Sequence, residues 1–270
     1  MTIKVIVTDM DGTFLDDAKK YDHARFMAQY QELKKRDIEF VVASGNQYYQ
    51  LASFFPDIAN EIAFVAENGG WVQDAGEDVY NCAMPRDHVD KITAFLLTRP
   101  EVEIIVCGKK SAYTLKSYDQ SFHDIAVRYY HRLELVDNFD NLDDTILKFA
   151  LNIPDEKVPQ MQALLDEKLG HMLTAVTTGH GTIDLIIPGV HKANGLRLLQ
   201  DRWGVSDDEV VAFGDSGNDI EMVKQAGYGF AMANANDAVK AVAGYHAPHN
   251  NEEGVLEIID KALKGEAPFA

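Results

Sequence analysis

Two short acidic stretches hold most of the chemistry this sequence offers. Asp9-Met10-Asp11-Gly12-Thr13 follows an apolar run at Ile3 to Thr8, and Gly214-Asp215-Ser216-Gly217-Asn218-Asp219 follows another at Val210 to Phe213. Taken singly, either stretch also reads as an ordinary Asp/Gly turn. An EF-hand loop beginning at Asp9 is excluded, because its glycine position falls on Phe14 and its final glutamate on Lys20. At strand ends of one sheet, the two stretches would gather Asp9, Asp11, Asp215 and Asp219, and carboxylates so crowded need a cation to offset their repulsion. A donor set made only of oxygen favours Mg²⁺. Ser44-Gly45-Asn46 follows the run Ile38 to Ala43 and leads into a helix, so a hydroxyl and backbone N–H groups can face an anion. Lys192, in His191-Lys192-Ala193-Asn194-Gly195, stands at the start of a later helix. Alone it reads as a solvated lysine, and its interest comes from the other groups in whose company it stands.

These residues need elements to carry them. Ile3 to Thr8, Ala24 to Lys35, Ile38 to Ser44, Gln47 to Phe54 and Ile62 to Ala66 alternate between β-branched runs and amphipathic stretches, which predicts βαβαβ. The alternation returns with a helix at Asn194 to Trp203, a strand at Val210 to Phe213, a helix after Asn218 and a strand at Tyr228 to Met232. Both stretches fit one Rossmann-like, doubly wound parallel sheet. Between them the rhythm becomes one helix followed by two strands, which predicts an antiparallel sheet covered on one face. The organisation expected is therefore an α/β core from residues 1–83 and 188–270 with an α+β unit, residues 84–187, inserted through linkers near Met84-Pro85 and Pro188-Gly189. The tail from Gly265 to Ala270 is expected to be loose. Thr178-Gly179-His180-Gly181 reads as a hairpin turn, with a substrate-facing loop as the other reading, and Glu67-Asn68-Gly69-Gly70 stays open between a polar turn and a site border.

Composition bounds the function classes. The chain has 270 residues, 46% hydrophobic, so a compact body burying roughly three quarters of its unfolded surface is expected. With 25 Lys and Arg against 43 Asp and Glu the net charge is −18, which disfavours nucleic acid and anionic membrane surfaces as partners. The apolar runs fall well short of the roughly 20 residues of a membrane span, and Asp9 comes too early for a signal-peptide core. A cytoplasmic location is the expectation, and Cys82 and Cys107, outside any CxxC spacing, suit buried thiols in a reducing compartment.

At this point the chain resembles the haloacid dehalogenase superfamily, in its Cof-type branch of capped phosphatases. The segments DMDGT, VVASGN (Val41 to Asn46), IDLIIPGVHK (Ile183 to Lys192) and GDSGND (Gly214 to Asp219) stand in the family's order. VTDMDGTFL, VVASGNQYYQL and FVAENG are similar to the bacterial sugar phosphatases of that branch. The resemblance implies that Asp9 is the nucleophile forming an aspartyl phosphate, and that Asp11 is the acid and base for leaving group and water. It implies Mg²⁺ held by Asp9, Asp11 through its backbone carbonyl, and Asp215, with Asp219 nearby, and a phosphate cradle of Ser44, Gly45, Lys192 and Asn218. The insert becomes a cap that selects the substrate, and the function implied is a Mg²⁺-dependent phosphatase of small sugar phosphates, with no obligate protein partner.

Other readings remain. A signalling receiver domain shares the chemistry but is about half as long and has no insert. A phosphosugar-binding protein without catalysis would not need both Asp9 and Asp11. A sugar-phosphate mutase usually carries its cap between the first two motifs, whereas here the large insert separates Ser44 from Lys192. A phosphatase of a small phosphorylated cofactor differs only in what the insert admits.

Overall fold

The alternating runs fold into the elements expected, in a computed structural model that describes residues 3–179 and 181–270. β1 (Val5–Thr8), α1 (His23–Lys35), β2 (Glu39–Ala43), α2 (Tyr48–Ser53) and β3 (Ala63–Ala66) make the amino-terminal βαβαβ unit. α1 starts where the Asp22 carboxylate accepts the Arg25 N–H, buries Phe26, Tyr30 and Leu33, and ends on Lys34 and Lys35, whose charges suit the carbonyl end of a helix. The chain then doubles back in a hairpin, β4 (Trp71–Asp74) and β5 (Glu77–Asn81), that the sequence pattern did not announce. Its tip is Ala75-Gly76, both at positive φ (49° and 81°), as a two-residue turn matching the strand twist requires.

Residues 84 to 187 contribute α3 (Arg86–Leu96), β6 (Glu103–Gly108), β7 (Ala112–Leu115), α4 (Gln120–Tyr129), β8 (Leu133–Val136), β9 (Ile146–Asn152), α5 (Val158–Leu169), β10 (Thr174–Gly179) and β11 (Thr182–Ile186). They form a six-stranded sheet of order β10-β11-β9-β6-β7-β8, antiparallel except for the parallel pair β7 and β8. One face carries Val106, Phe149, Leu151, Ile183 and Leu185 under α3 and α5. The other carries Ile105, Cys107 and Ala150 under α4, so the sheet is covered from both faces rather than from one. His180 lies outside the described residues.

The chain then returns through α6 (Lys192–Trp203), β12 (Val210–Gly214), α7 (Ile220–Gln225), β13 (Tyr228–Met232), α8 (Asp237–Val242), β14 (Tyr245–Ala247) and α9 (Gly254–Lys264). The main sheet has eight strands in the order β14-β13-β12-β1-β2-β3-β4-β5, parallel as far as β3 and antiparallel across the hairpin. Ile6 faces α1 and α9, whereas Val5 and Val7 face Leu196 and Leu199 of α6, so both faces are buried as parallel sheets require. The tail is not loose: Phe269 is buried, its ring 5.0 Å from that of Tyr228, because an aromatic side chain gains more from burial than a short tail loses in freedom. Cys82 and Cys107 are buried free thiols. Among the described residues no helix is long and apolar enough to cross a membrane.

The start of α2 in the core touches loops of residues 84 to 187 directly. The Gln47 amide exchanges hydrogen bonds with the Arg132 backbone (both 2.9 Å), the Tyr49 hydroxyl donates to the Lys109 carbonyl (3.1 Å), and the Arg132 guanidinium lies 3.5 Å from the centre of the Tyr49 ring.

Helix α6 approaches β3 so closely that a Cβ on Gly195 would sit 2.4 Å from Val65 Cγ1. Gly195→Ala should therefore destabilise the protein by about 1–3 kcal/mol, read as a lower urea midpoint at unchanged slope. An unchanged midpoint would show that the α6 contact yields freely.

Candidate active site

Parallel register delivers three loops to one edge of the main sheet. Thr8 at the end of β1 pairs across to Val42 of β2 and Phe213 of β12, so Asp9, Ser44 and Asp215 leave the sheet side by side, at the carboxyl ends where α/β folds bind ligands. Lys192, first residue of α6, reaches the same edge. Its ammonium lies 2.6 Å from Asp9 Oδ1 and 2.6 Å from Asp219 Oδ1, and all three side chains are buried. Asp219 Oδ2 accepts the backbone N–H groups of Asp215 and Ser216, both at 3.0 Å. Asp219 thus ties the loop after β12 to Lys192. The approach is tight enough that a Cβ on Gly214 would meet the Asp219 Cβ at 2.4 Å. Thr13 donates its hydroxyl to Asp215 Oδ1 at 2.7 Å.

Asp9, Asp215 and Asp219 each place a carboxylate oxygen within 4.8 Å of the others. Among the described residues Lys192 is the only ammonium bridging two of them, so the group is short of positive charge. Burial raises the Asp9 carboxyl well above its usual value; Lys192 opposes this, and Asp219 and Asp215 add to it. Asp215 rises to about 6, first through burial and then through Asp219, with the Thr13 hydroxyl holding it back. Burial works against the Lys192 charge, yet Asp219 and Asp9 more than offset it and hold the ammonium above the ordinary lysine value. A buried, oxygen-only, charge-deficient cluster fits a small hard dication. Asp9 and Asp215 would hold it, because both Asp219 oxygens are engaged by Lys192 and the loop backbone.

The Asp11 side chain lies outside that group. It is partly exposed, with Oδ1 at 2.5 Å from the Lys19 ammonium and Oδ2 accepting from Asn46 Nδ2 at 2.6 Å. Ser44 is buried and its hydroxyl accepts the Asn46 N–H at 3.2 Å, while the Gly45 carbonyl accepts from Lys148 at 2.7 Å. Asn218 accepts from the Ser216 hydroxyl (2.7 Å) and donates to Asn68 Oδ1 (2.9 Å). Asn46, Lys19, Asn68 and Lys148 therefore join the eight residues marked in the sequence. Asn46 and Asn68 stood inside segments already singled out, without an assigned role. Lys148 was visible only as a charge inside the apolar run Ile146–Asn152. Beside Lys192 and Asn218 a cavity of about 270 Å³ opens toward Gln162 and Thr177 of the inserted unit.

Comparison with known proteins bears on this geometry. Residues 6–259 match the family described as haloacid dehalogenase-like hydrolase. The chain is 64% identical over 269 residues to the 5-amino-6-(5-phospho-D-ribitylamino)uracil phosphatase YbjI of Escherichia coli, covering 100% of this chain and 99% of that one. A Bacillus subtilis protein of the same activity name, YitU, is 26% identical over 275 residues, covering 94% of this chain and 96% of its own. The crystal structure of SMU.1108c from Streptococcus mutans superposes with a TM-score of 0.93 at 40% identity, over 97% of this chain and 100% of that one.

The raised Asp215 carboxyl has a signature in stability. Its ordinary value is 3.8, so between about pH 4 and pH 6 the unfolded chain releases this proton before the folded one does. Metal-free protein should lose up to about 3 kcal/mol of stability over that window, relative to Asp215→Asn, which has no proton to release. Denaturant unfolding in EDTA at pH 4, 5, 6 and 7 measures it, and parallel profiles for the two proteins would contradict the assignment.

Proposed function

This chain belongs to the haloacid dehalogenase-like hydrolases and is a phosphatase of that family, and we propose that its substrate is a phosphorylated ribityl chain borne on an aminouracil, as in 5-amino-6-(5-phospho-D-ribitylamino)uracil. The observation that carries this reading is identity of 64% across the whole length of a phosphatase so named, inserted unit included. The sugar phosphate expected from sequence meets this proposal at the ester linkage: a ribityl 5-phosphate is a phosphorylated sugar alcohol, and the pyrimidine is what separates the two readings.

In the proposed mechanism, Asp9 attacks phosphorus with the oxygen that Lys192 does not hold. The ester P–O bond breaks, and Asp11 gives a proton to the departing ribityl oxygen. Asp11 then takes a proton from water as the water oxygen attacks phosphorus, the bond to Asp9 breaks, and inorganic phosphate leaves. Lys192 has used two of its three N–H donors on Asp9 and Asp219 and keeps one for a phosphoryl oxygen. Ser44, the Gly45 N–H and Asn218 supply the remaining donors around the transferring group. Mg²⁺, held by Asp9 and Asp215, would offset the charge of carboxylates and phosphate together. The inserted unit, with the cavity lined by Gln162 and Thr177, would receive the leaving alcohol and exclude water.

Phosphate release should be Mg²⁺-dependent, abolished by EDTA, and fastest in kcat/KM on the ribitylaminouracil phosphate among a panel of hexose, pentose and polyol phosphates. A hexose phosphate leading that panel would overturn the substrate, though not the chemistry. Asp9→Asn should remove the covalent phosphoenzyme and lower turnover by about 10⁴-fold. Asp11→Asn should slow the ribityl ester by roughly 10²–10⁴-fold and an aryl phosphate far less, because a phenolate leaves without a proton. Equal losses on both esters would remove Asp11 from the acid role.

A further inference from the structure

Two charged side chains of the inserted unit are buried at its boundary with the core. Lys148 in β9 and Asp184 in β11 lie on the sheet face opposite to Phe149, Leu151, Ile183 and Leu185, since strand residues alternate. They are diagonal neighbours, Asp184 standing across from Ala150 and Ile186 across from Lys148. The Lys148 ammonium meets three acceptors: the Gly45 carbonyl and Asp184 Oδ2, each at 2.7 Å, and Glu67 Oε2 at 3.4 Å. Lys148 and Glu67 are each 1% exposed and Asp184 5%. Asn68 extends the chain of contacts, donating to Asp184 Oδ2 at 2.5 Å and accepting from Asn218 at 2.9 Å.

The backbone under this cluster is strained. Glu67 and Asn68 sit consecutively at φ 52° and 56°, a region that side chains other than glycine rarely occupy, and strain of that kind gathers at functional sites. Their N–H groups donate to the carbonyls of Asn46 and Ser44, which lashes the strained turn to the candidate phosphate loop. Buried ion clusters add little net stability, because desolvation consumes the Coulomb attraction. Stability is therefore a poor reason for Lys148 to be there. Direct capture of phosphate is disfavoured in this arrangement, since the buried Lys148 ammonium already bonds the Gly45 carbonyl and Asp184 and pairs with the Glu67 carboxylate.

We propose that Lys148 and Asp184 are positioning residues: seated against Glu67 and Asn68, they orient Asn218 and the Gly45 peptide, so that the phosphate cradle is complete only when the inserted unit is docked on the core. The proposal rests on the phosphatase reading for its consequence and on the hydrogen-bond chain for its existence. Burial works against the Lys148 charge, but Asp184 and Glu67 hold the ammonium above its ordinary value, while burial raises the Glu67 carboxyl itself to about 7.

Asp184→Asn preserves shape and weakens the tie to Lys148; Lys148→Met removes the link. Each should lower kcat about ten-fold or more on every phosphate ester, with KM changed less than about two-fold. A loss confined to KM would overturn the proposal. The decisive measurement is a cycle with Asn218→Ala. If Asp184 acts through Asn218, the double variant Asp184→Asn/Asn218→Ala should be no slower than Asn218→Ala alone, whereas multiplied losses would show independent roles and end the proposal. Should Lys148→Met fail to fold, the Asp184→Asn arm carries the test. Amide hydrogen exchange at residues 67–70, without substrate, should accelerate in Asp184→Asn. Unchanged exchange would refute the chain itself, even if no ester tested were turned over by wild-type protein.

Discussion

Three carboxylates crowd around one buried ammonium at the carboxyl edge of the main sheet, and much else in the molecule follows from that imbalance. Asp9, Asp215 and Asp219 repel one another at distances where water cannot screen them, and Lys192 satisfies only two of the three. A buried cluster with a charge deficit is costly unless a cation or a proton supplies what is missing. The raised Asp9 and Asp215 carboxyls are that cost expressed as proton affinity. The same deficit makes the edge receptive to a dication, and through it to an anion that the overall charge of −18 would otherwise repel.

Holding such a cluster together falls to the packing beneath it. Parallel pairing of β1 with β2 and β12 aligns the three loops, and α6 must lie close enough to the sheet for Lys192 to reach Asp9. Gly195 permits that approach on the α6 side, and Gly214 permits it under Asp219. Neither glycine bears chemistry. Each removes a methyl group whose bulk would push a charged side chain away from its partner.

Much of this was legible in the sequence, for reasons that particular residues make clear. Apolar runs ending on Asp9, Ser44 and Asp215 marked strand ends, and buried parallel strands announce themselves as unbroken β-branched runs. The β4–β5 hairpin was not legible, because β5 reads EDVYN, an edge strand with three of its five residues exposed and no apolar alternation. The partners of Asp11 were equally hidden. Its own motif says nothing of Lys19, whose positive φ of 59° bends the chain back toward it, nor of Asn46 from the next strand end. Lys148 and Asp184 could have been noticed as lone charges inside apolar strands, but what they face depends on how two sheets meet, and no local pattern carries that.

The position of β1 has a consequence for how the molecule is made. One neighbour, β2, follows within the same βαβ unit, while the other, β12, arrives only after the whole inserted unit has been synthesised. Until then the nascent chain holds Asp9 and Ser44 beside an open strand edge, an exposed apolar template of the kind that invites wrong pairing. The inserted unit has its own sheet and hydrophobic core, so its folding need not wait, and once formed it brings the chain end that carries Lys192 back to the place where it is needed. Asp9 acquires its ammonium partner and its neighbouring carboxylates only after the inserted unit has been made. Chain order therefore delays the gathering of these carboxylates until the inserted unit has been synthesised.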